Sequence, residues 1–229
     1  MIRTELIASI PELLHRQADA RGDKVAFADL HGAVTYSDLM RTTGNLAGSL
    51  TGAGVSPGDA VAILLPNSVA WVQSCFAVNR AGALAVPIGY DAAPPEIIYR
   101  IVDAGCKVLI TTDEMMETVG RIRSQGPGLA AVICVGTGSV PPGGLRFGDL
   151  IAASPATVSP DAAAIDQPAF IIYTSGTTGR AKGVLLSARS MLWVSKKSRE
   201  RANGSKAVKR VRKLSVAREG HLQSPSWPR

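Results

Sequence analysis

The most informative part of this sequence is the stretch Tyr173-Thr-Ser-Gly-Thr-Thr-Gly-Arg-Ala-Lys-Gly-Val184. Small and hydroxyl-bearing residues fill its centre, and Lys182 follows them closely. Glycines allow the backbone to turn several N–H groups toward one point, and a lysine adds a mobile positive charge. Because loops of this kind bind anions with several oxygens, the stretch predicts a site for a triphosphate.

The predicted phosphate-binding residues are the hydroxyl, glycine and lysine residues of this loop. Their spacing differs from a Walker A motif, because Ala181 stands where that motif has its second glycine and Gly183 replaces its Ser/Thr. A GxGxxG motif for dinucleotides is also missing from the sequence. The predicted site consists of Thr174, Ser175, Gly176, Thr177, Thr178, Gly179 and Lys182.

The sequence before the loop alternates apolar runs with helical patterns. An amphipathic helix is predicted over 4–20, followed by a hairpin over 24–36 and a helix that Ser37 or Asp38 could cap. Continuous apolar runs then predict buried parallel strands, separated by helices of about ten residues. The expected fold class is α/β, a mostly parallel sheet with flanking helices. The predicted strands cover 60–65, 83–88, 107–111, 131–135 and 169–173, the helices cover 69–80, 94–103 and 113–123, and a further helix is predicted to begin near Ser187.

The positive charge of the chain is confined to its C-terminal end. The formal net charge is +7, but residues 195–229 hold 11 Lys/Arg and 2 Asp/Glu, whereas residues 1–194 hold 14 and 16. The basic segment also has no core-facing periodicity. We therefore predict two parts: a partial N-terminal domain over 1–194 and a basic, disordered tail over 195–229.

Several classes of site are not indicated by the sequence. Cys75, Cys106 and Cys134 are widely spaced within apolar runs, which predicts buried free thiols. The histidines have no neighbouring metal ligands or nucleophiles, so neither a metal site nor a catalytic residue is assigned. No apolar run reaches the roughly 18 to 20 residues that cross a bilayer, and no signal peptide is recognised, which favours the cytoplasm.

The loop sequence YTSGTTGRAKGV resembles the phosphate-binding signature of the AMP-forming (adenylate-forming) synthetases. Further segments of 1–194 are similar to that family, and 67–72 and 107–113 look more like acyl-CoA synthetases than peptide-synthetase adenylation domains. Two residues depart from the family pattern: Ala181 replaces a proline, and Ala188 replaces a histidine. The further segments are 34–39 (VTYSDL), 54–59 (GVSPGD), 61–65 (VAILL), 79–87 (NRAGALAVP) and 98–110 (IYRIVDAGCKVLI).

The resemblance implies an incomplete N-terminal part of the adenylate-forming fold. Family members use ATP and Mg²⁺ to convert a carboxylic acid into an acyl-adenylate and then, commonly, into a CoA thioester. By resemblance, the loop and Lys182 hold the β- and γ-phosphates. The family's Mg²⁺-binding glutamate, ribose-binding aspartate and C-terminal lysine are expected downstream and are not found in this sequence, so the chain is expected to be catalytically incomplete.

The sequence leaves three functional hypotheses open. The first is a truncated or frame-changed acyl-CoA synthetase-like ligase, because charge, periodicity and resemblance all change near residue 195. The second is a non-enzymatic nucleotide- or partner-binding module whose basic tail contacts nucleic acid or an anionic membrane. The third is a fragment of a nonribosomal peptide synthetase adenylation domain. Specific nucleic-acid recognition is not predicted, since Trp227 is the only aromatic residue of the tail.

Overall fold

The computed structural model describes residues 9–125, 128–153, 165–174 and 180–193. Strands and helices alternate over most of these ranges, as the apolar runs predict. The helices are α1 (Ile10–Arg21), α2 (Tyr36–Gly52), α3 (Val69–Arg80), α4 (Pro94–Asp103), α5 (Met116–Gln125) and α6 (Phe147–Ala152). The strands are β1 (Val25–Ala28), β2 (Ala33–Thr35), β3 (Ala60–Leu64), β4 (Leu84–Pro87), β5 (Cys106–Thr112), β6 (Ala131–Val135), β7 (Leu145–Arg146), β8 (Pro168–Thr174) and β9 (Lys182–Ser187).

The main sheet has the strand order β7-β6-β5-β3-β4-β8-β9. All neighbouring pairs from β7 to β8 are parallel, and β9 alone runs antiparallel to its neighbour β8. The carboxyl ends of the parallel strands therefore meet at one edge of the sheet, which includes Thr174 at the end of β8. The predicted α/β class with a mostly parallel sheet is confirmed.

Helices cover both faces of this sheet, and strands β3, β4, β5, β6 and β8 supply apolar side chains to both. In β3, Val61 and Ile63 belong to the buried cluster that contains residues of α2 and α3. The alternate residues Ala62 and Leu64 belong to a second cluster with residues of α4 and α5. Successive side chains of a strand point to opposite faces, so a strand covered on both sides has to be apolar throughout.

The predicted helix boundaries are reproduced closely, with one wrong capping residue. Helix α3 begins at Val69, where Ser68 Oγ accepts a hydrogen bond from the Trp71 N–H at 3.2 Å. Helix α2 begins one residue before Ser37, because Thr35 is its N-cap and accepts from the Asp38 N–H at 3.1 Å. Asp38 instead accepts a hydrogen bond from the Thr35 hydroxyl at 3.0 Å, so the cap is a reciprocal pair.

Strand β9 was not anticipated from the sequence. The strand prediction ended at residue 173, and a helix was placed near Ser187. In the structure the chain returns along β8 from Lys182 to Ser187, and the helical backbone starts at Ala188. Val184 and Leu185 are both exposed on this edge strand, so the usual alternation of buried and exposed residues is missing.

Other predictions fall beyond the described residues. These are the first part of the predicted opening helix, 4–8, and the predicted basic tail, 195–229. Within the described ranges, no helix combines the length and the apolar character needed to cross a membrane.

The cysteines are free and buried, as predicted. Burial raises the pKa of both the Cys75 and the Cys106 thiol to about 12, and it also raises that of Cys134. A thiol must ionise to react with a disulfide reagent. We therefore expect negligible reaction of the native chain with Ellman's reagent at pH 8, and release of three equivalents on denaturation. Rapid labelling of even one thiol in the native chain would contradict the buried placement.

Candidate phosphate-binding site

The two ends of the predicted loop are brought together by the β8–β9 hairpin. Thr174, the last residue of β8, is the register partner of Lys182, the first residue of β9. Both residues are exposed, and they lie at the edge where the parallel strands end. Ligands of α/β proteins bind at this carboxyl edge. The predicted site residues Ser175, Gly176, Thr177, Thr178 and Gly179 lie outside the described residues.

The outgoing arm of the loop, β8, is attached to helix α4 through Tyr173. The Tyr173 hydroxyl donates a hydrogen bond to Asp103 Oδ2 at 2.6 Å, and the Arg100 guanidinium lies 5.6 Å from the Tyr173 ring centroid. Burial, followed by the nearby Asp103 carboxylate, raises the pKa of Tyr173 well above its usual value. The phenol therefore remains a hydrogen-bond donor throughout the physiological pH range.

The return arm is attached to the same helix through Tyr99. The Tyr99 hydroxyl donates to the Ala181 carbonyl at 3.0 Å, and the Arg180 guanidinium lies 5.5 Å from the Tyr99 ring centroid. The rings of Tyr99 and Tyr173 pack edge to face, with centroids 6.3 Å apart and planes at 74°. Helix α4 thus contacts both arms of the loop.

Gly183 allows the two arms to lie close together. It is the register partner of Tyr173, and a Cβ added to it would lie 3.0 Å from Ile171 Cγ2 and 3.2 Å from Tyr173 Cζ. An aromatic ring that packs over a glycine on an edge strand covers its exposed backbone. A larger residue at position 183 would therefore displace the Tyr173 ring or the Ile171 side chain.

A buried amide joins strand β8 to the body of the domain. Asn79 at the end of α3 donates from Nδ2 to the Ala169 carbonyl at 3.0 Å, and both residues are buried. This bond is important because the β4–β8 ladder has a single register pair, Ala85 with Phe170. Helices α3 and α4 therefore fix β8 from opposite faces of the sheet.

The contacts from α4 were not predicted from the sequence. Tyr99 and Asp103 are one helical turn apart, which places them on the same face of α4. Each is separated from its partner on the hairpin by 70 or more residues. Their spacing indicates a shared face, but no local pattern indicates which strand that face meets.

A surface cavity in the described part of the chain lies apart from the hairpin. Among the described residues, no group of three or more His, Cys, Asp or Glu side chains could hold a metal ion. A surface cavity of about 410 Å³ is formed by residues of α1 and α2 and by Arg80, and it includes Asp19 and Arg41. None of its lining residues belongs to the loop arms or to α4, so this cavity is separate from the predicted site.

A parallel α/β sheet that carries a Gly/Ser/Thr loop and a lysine at its carboxyl edge is typical of proteins that bind nucleotide phosphates. The chain belongs to the AMP-binding enzyme family, whose family model matches residues 14–214. This match covers most of the chain and confirms the resemblance to the AMP-forming synthetases.

Two of the relatives are a CoA synthase and a CoA ligase. A feruloyl-CoA synthase from Amycolatopsis sp is 37% identical over 177 residues, which cover 76% of this chain and 33% of that protein. The long-chain-fatty-acid–CoA ligase FadD13 from Mycobacterium tuberculosis (strain ATCC 25618 / H37Rv) is 34% identical, with 69% and 30% covered. The chain thus spans about a third of the length of these relatives.

The fold of a solved ligase agrees with this assignment. The crystal structure of the anthranilate CoA ligase AuaEII, in complex with anthranoyl-AMP, superposes with a TM-score of 0.74 and 29% sequence identity. The superposition covers 82% of this chain and 37% of the ligase. Neither alternative function, the tail-directed binding module or the peptide-synthetase fragment, is supported by these comparisons.

Proposed function

We propose that this chain is the ATP-phosphate-binding part of a ligase that activates a carboxylic acid. In the proposed reaction, a carboxylate oxygen attacks the α-phosphorus of ATP, the bond to pyrophosphate breaks, and an acyl-adenylate forms. The thiolate of CoA then attacks the acyl carbon, and AMP leaves with the bonding electron pair. The observation that supports the proposal is the Thr174–Lys182 register pair, which brings the two ends of the predicted loop together at the carboxyl edge of the sheet in a member of this family.

In this proposal the loop holds the phosphates that depart as pyrophosphate. Thr174, Ser175, Thr177 and Thr178 would donate from hydroxyl groups, and Gly176 and Gly179 would let the phosphates approach the backbone. Lys182 would neutralise charge on the β- and γ-phosphates. Such loops contribute to catalysis by positioning and by electrostatic stabilisation. ATP would enter as its Mg²⁺ complex, and we assign no ligand of that ion to this chain.

The proposal assigns phosphate binding alone to the 229 residues. The 229 residues correspond to about a third of the length of these relatives, so the proposal gives them phosphate binding and assigns adenylation to the whole ligase. The relatives and the solved ligase are named for feruloyl, long-chain-fatty-acid and anthranilate substrates, so the proposal specifies a carboxylic acid and no narrower class. We place the chain in the cytoplasm, where free thiols such as Cys75 stay reduced.

We expect the isolated chain to bind MgATP and pyrophosphate more tightly than AMP, because AMP lacks the β- and γ-phosphates. Calorimetric titration and the thermal unfolding midpoint measure this preference, and a ligand at about 100 times its Kd stabilises by about 2.7 kcal/mol. In the same preparation, ATP–pyrophosphate exchange with ferulate, palmitate or anthranilate should stay at background. A chain that bound AMP as tightly as ATP would contradict the phosphate site, and measurable exchange would contradict catalytic incompleteness.

A further inference from the structure

We propose that Tyr99 is a positioning residue for Lys182, because it holds the return arm of the hairpin directly before that lysine. The consequence for ligand binding rests on the proposed function. Tyr99 is not one of the predicted site residues, and the contacts of its side chain carry the inference.

Two different groups of Tyr99 contact two consecutive residues of the return arm. The hydroxyl donates to the Ala181 carbonyl at 3.0 Å, and the ring face lies 5.5 Å from the Arg180 guanidinium. Lys182 follows directly, so its main chain is one residue beyond an anchored carbonyl. A cation over an aromatic face and a hydrogen bond restrain the arm in different directions.

The outgoing arm has a matching anchor on the same helix. The Tyr173 hydroxyl bonds Asp103 at 2.6 Å, one helical turn after Tyr99, and the two tyrosine rings are in edge-to-face contact. Helix α4 therefore contacts both arms of the hairpin directly before Thr174 and Lys182. Holding the main chain beside Lys182 reduces the conformational entropy that this part of the chain loses when a ligand binds.

Tyr99 lies outside the buried core, so its contacts with the return arm are not core packing. Its side chain is half-buried, whereas its α4 neighbours Ile97 and Ile101 are buried in the cluster beneath the sheet. Tyr99 does not belong to the described residues that form or pack against that cluster. Removing only the hydroxyl should therefore loosen the return arm without changing the midpoint of global unfolding.

Tyr99→Phe in the full chain tests this inference, with Tyr36→Phe on α2 as the matched control. We expect Tyr99→Phe to weaken the affinity for MgATP and for pyrophosphate by about three- to tenfold, which is the range for one lost hydrogen bond. The midpoint of chemical unfolding should not change. Tyr36→Phe should leave both affinities unchanged.

Limited trypsinolysis gives a second readout that needs no nucleotide. Arg180 is exposed, so the fragment that ends there can be followed by mass spectrometry, with cleavage after Arg121 on α5 as the internal reference. Tyr99→Phe should accelerate cleavage after Arg180 severalfold and leave cleavage after Arg121 unchanged.

The outcomes separate this inference from the proposed function. Unchanged cleavage after Arg180, or unchanged affinity for ATP and pyrophosphate in a variant that is cleaved faster, would overturn the positioning role. A wild-type chain that binds neither ligand would instead refute the proposed function, and with it the ligand-binding part of this inference. Faster cleavage together with weaker binding and an unchanged unfolding midpoint would support it.

Discussion

Lys182→Ala is expected to weaken the binding of MgATP and pyrophosphate by about 10- to 100-fold. Lys182 is exposed at the start of β9, directly opposite Thr174, and in the proposed site its ammonium group would contact a phosphate. Hydrogen bonds to a charged group contribute about 1.5–3 kcal/mol, and about 1.4 kcal/mol corresponds to a tenfold change in Kd. Isothermal titration calorimetry on the folded variant measures this loss.

Other substitutions of Lys182, and one of a control lysine, show whether the missing charge causes the loss of affinity. Lys182→Arg keeps the charge and should retain most of the affinity, whereas Lys182→Gln should behave like alanine. Lys24→Ala removes an exposed lysine next to the opening hairpin and should leave binding unchanged. The weak affinity for AMP should also be unaffected by Lys182→Ala. Equal losses for AMP and ATP would indicate damage to the fold instead of a missing phosphate contact.

The sheet could be predicted from the sequence because its strands are buried on both faces. Such strands have no room for polar residues in their interior, so each appears as a continuous apolar run bounded by turn residues. The sequence predicts strand β6 over 131–135, helix α3 over 69–80 and helix α4 over 94–103, and the structure has the same limits. The helix limits were clear because Ser68 is a good N-cap and Pro94 and Pro95 favour the first helical turn.

The features that sequence analysis missed depend on tertiary contacts. Strand β9 is an exposed edge strand, and its Val184 and Leu185 follow neither a buried nor an alternating pattern. It forms because β8 offers a free ladder edge, which is a property of the assembled sheet. The cap of α2 was misplaced by two residues or more, since Thr35, Ser37 and Asp38 are all good N-cap residues and only the hairpin geometry selects Thr35.

The sequence predicts the residues of the candidate site, but it does not predict the contacts that hold the two arms of the hairpin against α4. The order of glycines, hydroxyls and lysine indicated a phosphate loop, and the structure pairs its two described ends, Thr174 and Lys182. The anchors on α4 could not be predicted, because Tyr99 meets Ala181 across 82 residues of sequence. Contacts at such separations follow from the strand order, which places β8 beside β4 and β9 beside β8.

Ile63→Ala is expected to destabilise the chain by about 2–5 kcal/mol, because it removes a fully buried side chain from a close-packed core. Ile63 lies in β3, between β4 and β5, and its backbone carbonyl also accepts a hydrogen bond from the Ile88 N–H at 3.0 Å. Domains are stable by only about 5–15 kcal/mol, so the loss is a large fraction of the total. Urea denaturation measures it as a lower midpoint with an unchanged slope.

Two further substitutions test whether the burial of Ile63 accounts for the loss of stability. Ile63→Val removes one methylene and should cost about 0.5–1.5 kcal/mol, whereas Leu30→Ala, at a side chain that is 100% exposed, should change stability by less than about 0.5 kcal/mol. At temperatures where the Ile63 variants are folded, their affinity for ATP should equal that of the wild type, since Ile63 faces the α2–α3 side of the sheet. Lys182→Ala should show the opposite pattern, with normal stability and weak binding. A cost for Ile63→Ala below about 1 kcal/mol would mean that β3 is not the central buried strand.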